Sequence, residues 1–477
     1  MGVPFAAPPV GDLRWRAPRP AKDWDGVLEA YRFAPISMQR IPGLDESDIY
    51  TREWNVDPQI PMSEDCLYLN VWTPAKRADE KLPVFVWYFG GGLQVGNPSE
   101  MEFNGERIAR RGIVVVTVNY RVNVFGFLAH PEITAENPDF PANFGNLDQK
   151  FGTEWVKRNI AAFGGDPDNI TIGGQSAGGG SVLTQVTSPM NEGLFQKAIV
   201  QSGILYGAYV DFFSKWSRDL TSAEKEGVKF FEFLGVKTLA QARQLSAEYI
   251  RDKSLEYDMM WGTVADGNYV VGNAIELLLR NKRHMVPLLM GNTSDEFLTV
   301  PPADSVENFE KLARDKFGDR ADEFLAICRS DSLEQTIKNA TFSPIELAIR
   351  TLFNRTAEVD GAPDNYYYLF DAEIPGYDNP GTFHSVDLWF FFETLAVCWR
   401  PFTGKHYDLA RRMCNYWANF IKSGDPNGND ADGSRMPEWK PYMEGQCPMV
   451  FGDAPAMDTG ECYGKLMKFL VDFYLSK

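Results

Sequence analysis

The sequence predicts an α/β protein with a mainly parallel central sheet covered by helices on both faces. Three observations carry this. Short, continuous apolar runs recur along the chain, which marks strands buried on both faces. Helical patterns separate several of these runs, as the crossovers between parallel strands require. The chain has 477 residues, 44% hydrophobic and 13% aromatic, enough for a large buried core.

In order, the runs are "LPVFVWYF" (82–89), "GIVVVTVNY" (112–120), "NITIGG" (169–174), "KAIVQSG" (197–203), "VPLLMGNTSDE" (286–296) and "NYYYLFD" (365–371). The stretch 147–164, "LDQKFGTEWVKRNIAAFG", reads as a helix between two of them. Segments 207–260 and 303–360 read as helical insertions that wall a pocket. No linker, low-complexity tract or internal repeat interrupts the chain, so residues 1–477 read as one domain.

Charge and composition narrow the function. A formal net charge of -18 argues against nucleic acid and against an anionic membrane surface. No apolar run is long enough to span a bilayer. The first twenty residues lack the charged-then-apolar layout of a signal peptide. The expected location is therefore the cytoplasm, with secretion the alternative if a leader has been removed. Six cysteines, with no Cys-x-x-Cys, point to free buried thiols and not to a zinc site or disulfide scaffold.

The stretch "ITIGGQSAGGGSV" (170–182) carries the chemistry. Gly174-Gln175-Ser176-Ala177-Gly178 follows a strand and precedes an apolar helical run, 177–187, that stops at Ser188-Pro189. A strand-to-helix turn this sharp tolerates only small neighbours and exposes the serine at the helix N-terminus. Ser176 is thus the expected nucleophile. Serine needs a base, and the base an orienting acid. Of the four histidines, His130 precedes a proline, His284 stands just before a strand and His406 begins a helix. His384 lies in a loop after a glycine and before aromatic residues, where a base would sit. The acid should follow a strand between them. Asp295 and Glu296 both qualify, and patterning does not separate them. Oxyanion donors are expected from the N–H of Ala177 and from Gly90-Gly91-Gly92, which directly follows a strand. No Gly-Lys-Ser/Thr follows these glycines, which disfavours a phosphate loop.

These residues resemble the type-B carboxylesterases, the cholinesterase-like and para-nitrobenzyl esterase-like branch of the α/β-hydrolases. The resemblance rests on "GVPFAAPPVGDLRWRAPRP", "SEDCLYLNVWTP" (63–74), "NYRVNVFGFL", "NFGNLDQ", "FGGDPDNITI", "GLFQKAIVQSG" and "FIKSGDPNG", in family order. It implies a triad of Ser176, Glu296 and His384, and so chooses Glu296 over Asp295. It places the oxyanion hole at Gly91, Gly92 and Ala177. It implies hydrolysis of small-molecule carboxylic esters through an acyl-enzyme, without metal or cofactor. Lactones, thioesters, carbamates and amides are the alternative substrates, and a non-catalytic binding protein the remote one. The loop at 424–433 lacks the glycine and glutamate of a calcium loop.

The chain departs from the family in several places. Gln175 stands where glutamate usually precedes the serine. Ser37 stands near where the cysteine partner of Cys66 is common. Phe297 replaces a glycine after the acid, and Leu93 a phenylalanine after the glycines. Two strands that usually precede the opening are absent, which implies a chain begun downstream of them. Aromatic residues near the site suggest apolar or aromatic esters, with Phe89, Leu93 and Trp389 as expected substrate contacts.

Overall fold

The computed structural model describes residues 1–44, 47–54, 57–204, 218–458 and 464–476. Ten strands form its main sheet: β1 (Val3–Pro4), β2 (Tyr68–Trp72), β3 (Leu82–Tyr88), β4 (Val114–Val118), β5 (Gly165–Gln175), β6 (Lys197–Gln201), β7 (Leu288–Thr293), β8 (Tyr366–Phe370), β9 (Met449–Phe451) and β10 (Pro455–Met457). Their spatial order is β1-β2-β4-β3-β5-β6-β7-β8-β9-β10. From β4 to β9 every pairing is parallel, and the antiparallel pairs lie at the two margins.

All six runs read from the sequence contain strands of this sheet. Strands β1, β2, β9 and β10 carry no such continuous run. They lie at the margins, where a strand needs no apolar residues on both faces.

Alternation along β3 builds the core on both sides. Tyr88 faces the helix α1 (Phe144–Asn159), where its hydroxyl lies 2.5 Å from Thr153 Oγ1. Phe85 and Trp87 point the other way. They meet Phe391 at ring distances of 5.7 and 5.9 Å, and Phe391 in turn meets Trp417 of the helix Gly404–Ser423. The helix predicted at 147–164 is α1, begun three residues early and closed by a 3₁₀ turn at Ile160–Phe163.

Both expected insertions are helical. The first holds Leu220–Phe233, Leu239–Arg243 and Ala247–Tyr257, while its start, 207–217, lies outside the described residues. The second holds Val306–Phe317, Ala321–Cys328, Leu333–Ala340 and Pro344–Ala357. Its apolar faces pack with the helix Lys465–Leu475 into a second core cluster.

The cysteine expectation needs one correction. Cys66, Cys328, Cys398 and Cys414 are free, but Cys447 is disulfide-bonded. Cys66 is fully buried beside the Ser37 hydroxyl, and burial pushes its thiol pKa above the ordinary range.

Candidate active site

Strands β3, β5 and β7 end on one edge of the sheet, and the site is assembled there. Open parallel sheets place ligands at this edge. Ser176 follows β5 directly and caps α2 (Ala177–Thr187), so the predicted turn and helix boundaries both hold. Its backbone sits at φ 56°, ψ -126°, a strained conformation for a non-glycine residue. The turn is held by hydrogen bonds from Ser176 N to the Gln201 carbonyl and from Gly180 N to the Ser176 carbonyl, each 2.9 Å. Its small neighbours are obligatory. A Cβ on Gly178 would lie 2.1 Å from the Tyr88 carbonyl oxygen, and one on Gly174 would lie 2.4 Å from Gly178.

Of the two acids left open by patterning, the structure gives each a separate task. Glu296 Oε2 hydrogen-bonds His384 Nδ1. Its Oε1 accepts from Thr293 N (2.7 Å) and Ser202 Oγ (2.6 Å). Glu296 is 2% exposed, so these donors fix the carboxylate where water would otherwise solvate it. Asp295 instead ties down the histidine loop. Its Oδ2 accepts from Thr382 N (2.9 Å) and Thr382 Oγ1 (3.0 Å), two residues before His384.

His384 Nε2 lies 3.2 Å from Gln175 Nε2. With Nδ1 on Glu296, Nε2 is the acceptor, and the Gln175 amide donates to it. Ser176 Oγ makes no hydrogen bond among the described residues, although Ser176, Gln175 and His384 line one cavity.

The other histidines are structural, as their sequence positions suggested. His130 caps Pro131–Glu136 by accepting from Glu132 N. His406 completes a capping box with Thr403. His284 Nε2 lies 2.7 Å from the Ser188 carbonyl oxygen.

The glycine loop after β3 faces Ser176. Gly91 has φ +103°, and a Cβ there would sit 2.2 Å from the Val95 carbonyl oxygen. Turns from Gln94 N and Val95 N to the Gly91 carbonyl shape the loop, and the Tyr120 hydroxyl donates to the Phe89 carbonyl at its base. Among the described residues, no hydrogen bond uses the N–H of Gly91 or Gly92. Two free amides beside a helix N-terminus suit a developing oxyanion.

Two cavities meet at Ser176, sharing Gly92 and Phe297. The smaller, of about 210 Å³, is largely apolar, lined by Ala177, Leu93, Leu183, Val270 and Ile275 among others. The larger, of about 810 Å³, holds His384, Gln175, Gly90, Gly91 and the aromatic rings of Tyr50, Trp54 and Phe103. Phe297 stands between them, 45% exposed, its ring 4.5 Å from that of His384.

Two expected substrate contacts need correction. Phe89 is fully buried, stacked on Tyr120 at 4.1 Å, and lines neither cavity. Trp389 is also fully buried, its indole N–H donating to Glu53. Both belong to the core. Leu93 does line the smaller cavity. The helical insertions do not supply the expected walls either. The described lining comes mainly from 39–54, 90–103, 176–184 and 263–275. Sequence reading also missed Ser202, and only its position after β6, next to the end of β5, could have signalled it.

A mainly parallel sheet with a strained serine turn, an acid and histidine from later loops, and a glycine loop defines an α/β-hydrolase. The carboxylesterase family model matches residues 1–343 and 329–458. The fumonisin B1 esterase of Sphingopyxis macrogoltabida is 34% identical over 327 residues, 67% of this chain and 57% of that protein. The para-nitrobenzyl esterase of Bacillus subtilis is 32% identical over 469 residues, 93% of this chain and 88% of that protein. A crystal structure of a Geobacillus stearothermophilus carboxylesterase superposes with a TM-score of 0.76 at 29% identity, covering 98% of this chain and 95% of its own. The chain belongs to the carboxylesterase family and is a carboxylic ester hydrolase.

Proposed function

We propose that the chain, acting as one catalytic unit, hydrolyses esters through an acyl-enzyme on Ser176. The observation that carries this reading is a His384 held by Glu296 that lines one cavity together with the strained Ser176 and the free Gly91 and Gly92 amides. His384 Nε2 is released by the Gln175 amide, takes the Ser176 proton, and Ser176 Oγ attacks the ester carbonyl. The N–H groups of Gly91, Gly92 and Ala177 hold the oxyanion. Glu296 keeps the proton on Nδ1 and stabilises the imidazolium. The imidazolium then protonates the leaving alkoxide, and water repeats the attack. Catalytic contacts often tighten only when substrate is bound, so the Gln175 contact is compatible with this order.

The two cavities divide the substrate. The leaving alcohol must sit beside the imidazolium that protonates it, so it takes the larger cavity with His384. The acyl chain takes the apolar cavity lined by Ala177, which favours apolar acyl groups. The disulfide at Cys447 favours an oxidising compartment over the cytoplasm expected from the sequence.

An alkyl fluorophosphonate tests the reading. It should modify Ser176 in the folded protein, and Ser176→Ala should lower kcat/KM for p-nitrophenyl acetate by roughly 10⁵-fold or more. A Ser176→Ala protein that keeps wild-type turnover overturns it. A panel of amides and lactones against matched esters separates the neighbouring substrate classes.

A further inference from the structure

The glycine loop after β3 is held by a side chain that has no part in the reaction described above. Each carbonyl from Gly91 to Gln94 is tied. Gly91 O accepts from Gln94 N (3.0 Å) and Val95 N (3.1 Å), and Leu93 O from Asn123 N (2.6 Å). Gln94 O accepts from Asn123 Nδ2 (3.1 Å). Gly92 O accepts from the Gln94 side chain, Nε2 lying 3.0 Å away. The same Nε2 donates to the Trp261 carbonyl, and Oε1 accepts from Trp261 N (3.2 Å). A flipped amide would set Oε1 against two carbonyls, so these bonds force its orientation.

Two peptide planes meet at Gly92, and both of their carbonyls end on Gln94, one on its main-chain N and one on its Nε2. In a trans peptide the N–H points away from the carbonyl, so holding Gly91 O aims Gly92 N–H. Gly92 stands at φ 64° and Leu93 at φ 62°. Glycine has no intrinsic preference for that region, and leucine is strained in it. The loop therefore needs an outside anchor, and Trp261 provides it. Trp261 is 3% exposed, and its indole N–H donates to Ser254 Oγ (3.0 Å).

We propose that Gln94 is a positioning residue for the oxyanion. Its side-chain amide locks the Gly92 backbone to the Trp261 main chain and so keeps the Gly92 N–H on the reacting carbonyl. Gln94 lines neither of the two cavities at Ser176, so it acts through Gly92 and not on the substrate. The role rests on the proposed acyl-enzyme mechanism, in which Gly92 is an oxyanion donor. The competing role is support of the apolar cavity, because Trp261 leads into Thr263 and Ala265 of its wall. That wall has a second anchor. Asn143 accepts from Val264 N and donates to Val264 O, each at 2.7 Å. Gly92 O, by contrast, has no other hydrogen-bond partner among the described residues.

The test is Gln94→Met, which keeps the length of the side chain and removes its hydrogen bonds to Gly92 and Trp261. kcat/KM for p-nitrophenyl acetate and for p-nitrophenyl octanoate should both fall about tenfold, through kcat with KM little changed. The Ki of 1,1,1-trifluorooctan-2-one, whose hemiketal oxyanion on Ser176 needs the same donors, should rise by the same factor. Inhibition by 2-octanone, which forms no such oxyanion, should not change. A loss confined to the octanoate, or an unchanged trifluoroketone Ki, overturns the role. Gln94→Glu keeps the length and the bond from Trp261 N but sets a carboxylate against two carbonyls. It should lose at least as much, and it decides if Gln94→Met does not fold. If neither variant folds, Gln94 holds the fold and the positioning role is overturned. Phosphonate labelling of wild-type Ser176 reports separately on the acyl-enzyme reading.

Discussion

The two cavities that meet at Ser176 differ in what they offer a substrate. The smaller is walled by aliphatic side chains from α2 and the 263–275 segment. The larger is lined by the histidine, Gln175, the half-buried Glu100, the buried Glu102 and the aromatic residues Tyr50, Trp54 and Phe103. The apolar one can discriminate only by volume, where each methylene is worth about 1–3 kcal/mol. The larger one also presents polar groups, where an unmatched one costs the whole of its desolvation. Specificity for the acyl chain should therefore be graded, and specificity for the alcohol closer to a switch. Between them lies the glycine loop, which serves the reacting carbonyl whatever hangs on either side.

The largest effect expected is on that shared element. Gly91→Ala places a Cβ against the Val95 carbonyl oxygen at a positive φ, so the loop must shift and carry its amide with it. Losing one oxyanion donor lowers kcat by about 10²–10³. The loss should be equal for short and long acyl chains and for small and bulky alcohols. Steady-state kinetics over such a matrix of esters checks this. A loss confined to one alcohol class would make the loop a cavity wall and not the oxyanion hole.

Next comes a change confined to one side. Val270 is buried in the wall of the apolar cavity. Val270→Trp should fill much of that space and lower kcat/KM for p-nitrophenyl octanoate relative to acetate by about tenfold. The ratio between small and bulky alcohols should not change. Movement of both ratios together would mean that the cavities are not independent and that the division of the substrate fails.

These regions differed in how much the sequence disclosed. The serine turn was legible because one conformation demands small residues at fixed positions, so Gly174 and Gly178 announce it. The sheet was legible because strands buried on both faces must be continuously apolar. The acid was ambiguous because Asp295 and Glu296 are adjacent, and only the fold directs one to the His384 ring and the other to the His384 loop. Aromatic content misled at Phe89 and Trp389. Large rings are needed equally by cores and pockets, and here the core holds both. Glu100 and Glu102 gave no signal. Two acids in a turn read as solvated surface, yet Glu102 is buried next to Phe103, whose ring meets Trp87 and Phe392, residues distant in sequence.

The smallest effect expected returns to Gln175, which lines the larger cavity and not the apolar one. A carboxylate at 175 would add a charge on the alcohol side alone. Gln175→Glu should raise kcat/KM for the 3-aminopropyl ester over the n-butyl ester of one acid by about threefold, a partly solvated Coulomb interaction of under 1 kcal/mol. A carboxylate cannot donate to His384 Nε2 as the amide does, so turnover itself will also change. The ratio cancels that change, because both esters use the same histidine and the same oxyanion donors. Kinetics of the two esters on the variant and the wild type therefore isolate the charge. An unchanged ratio would leave Gln175 acting on the alcohol cavity through its contact with His384 alone.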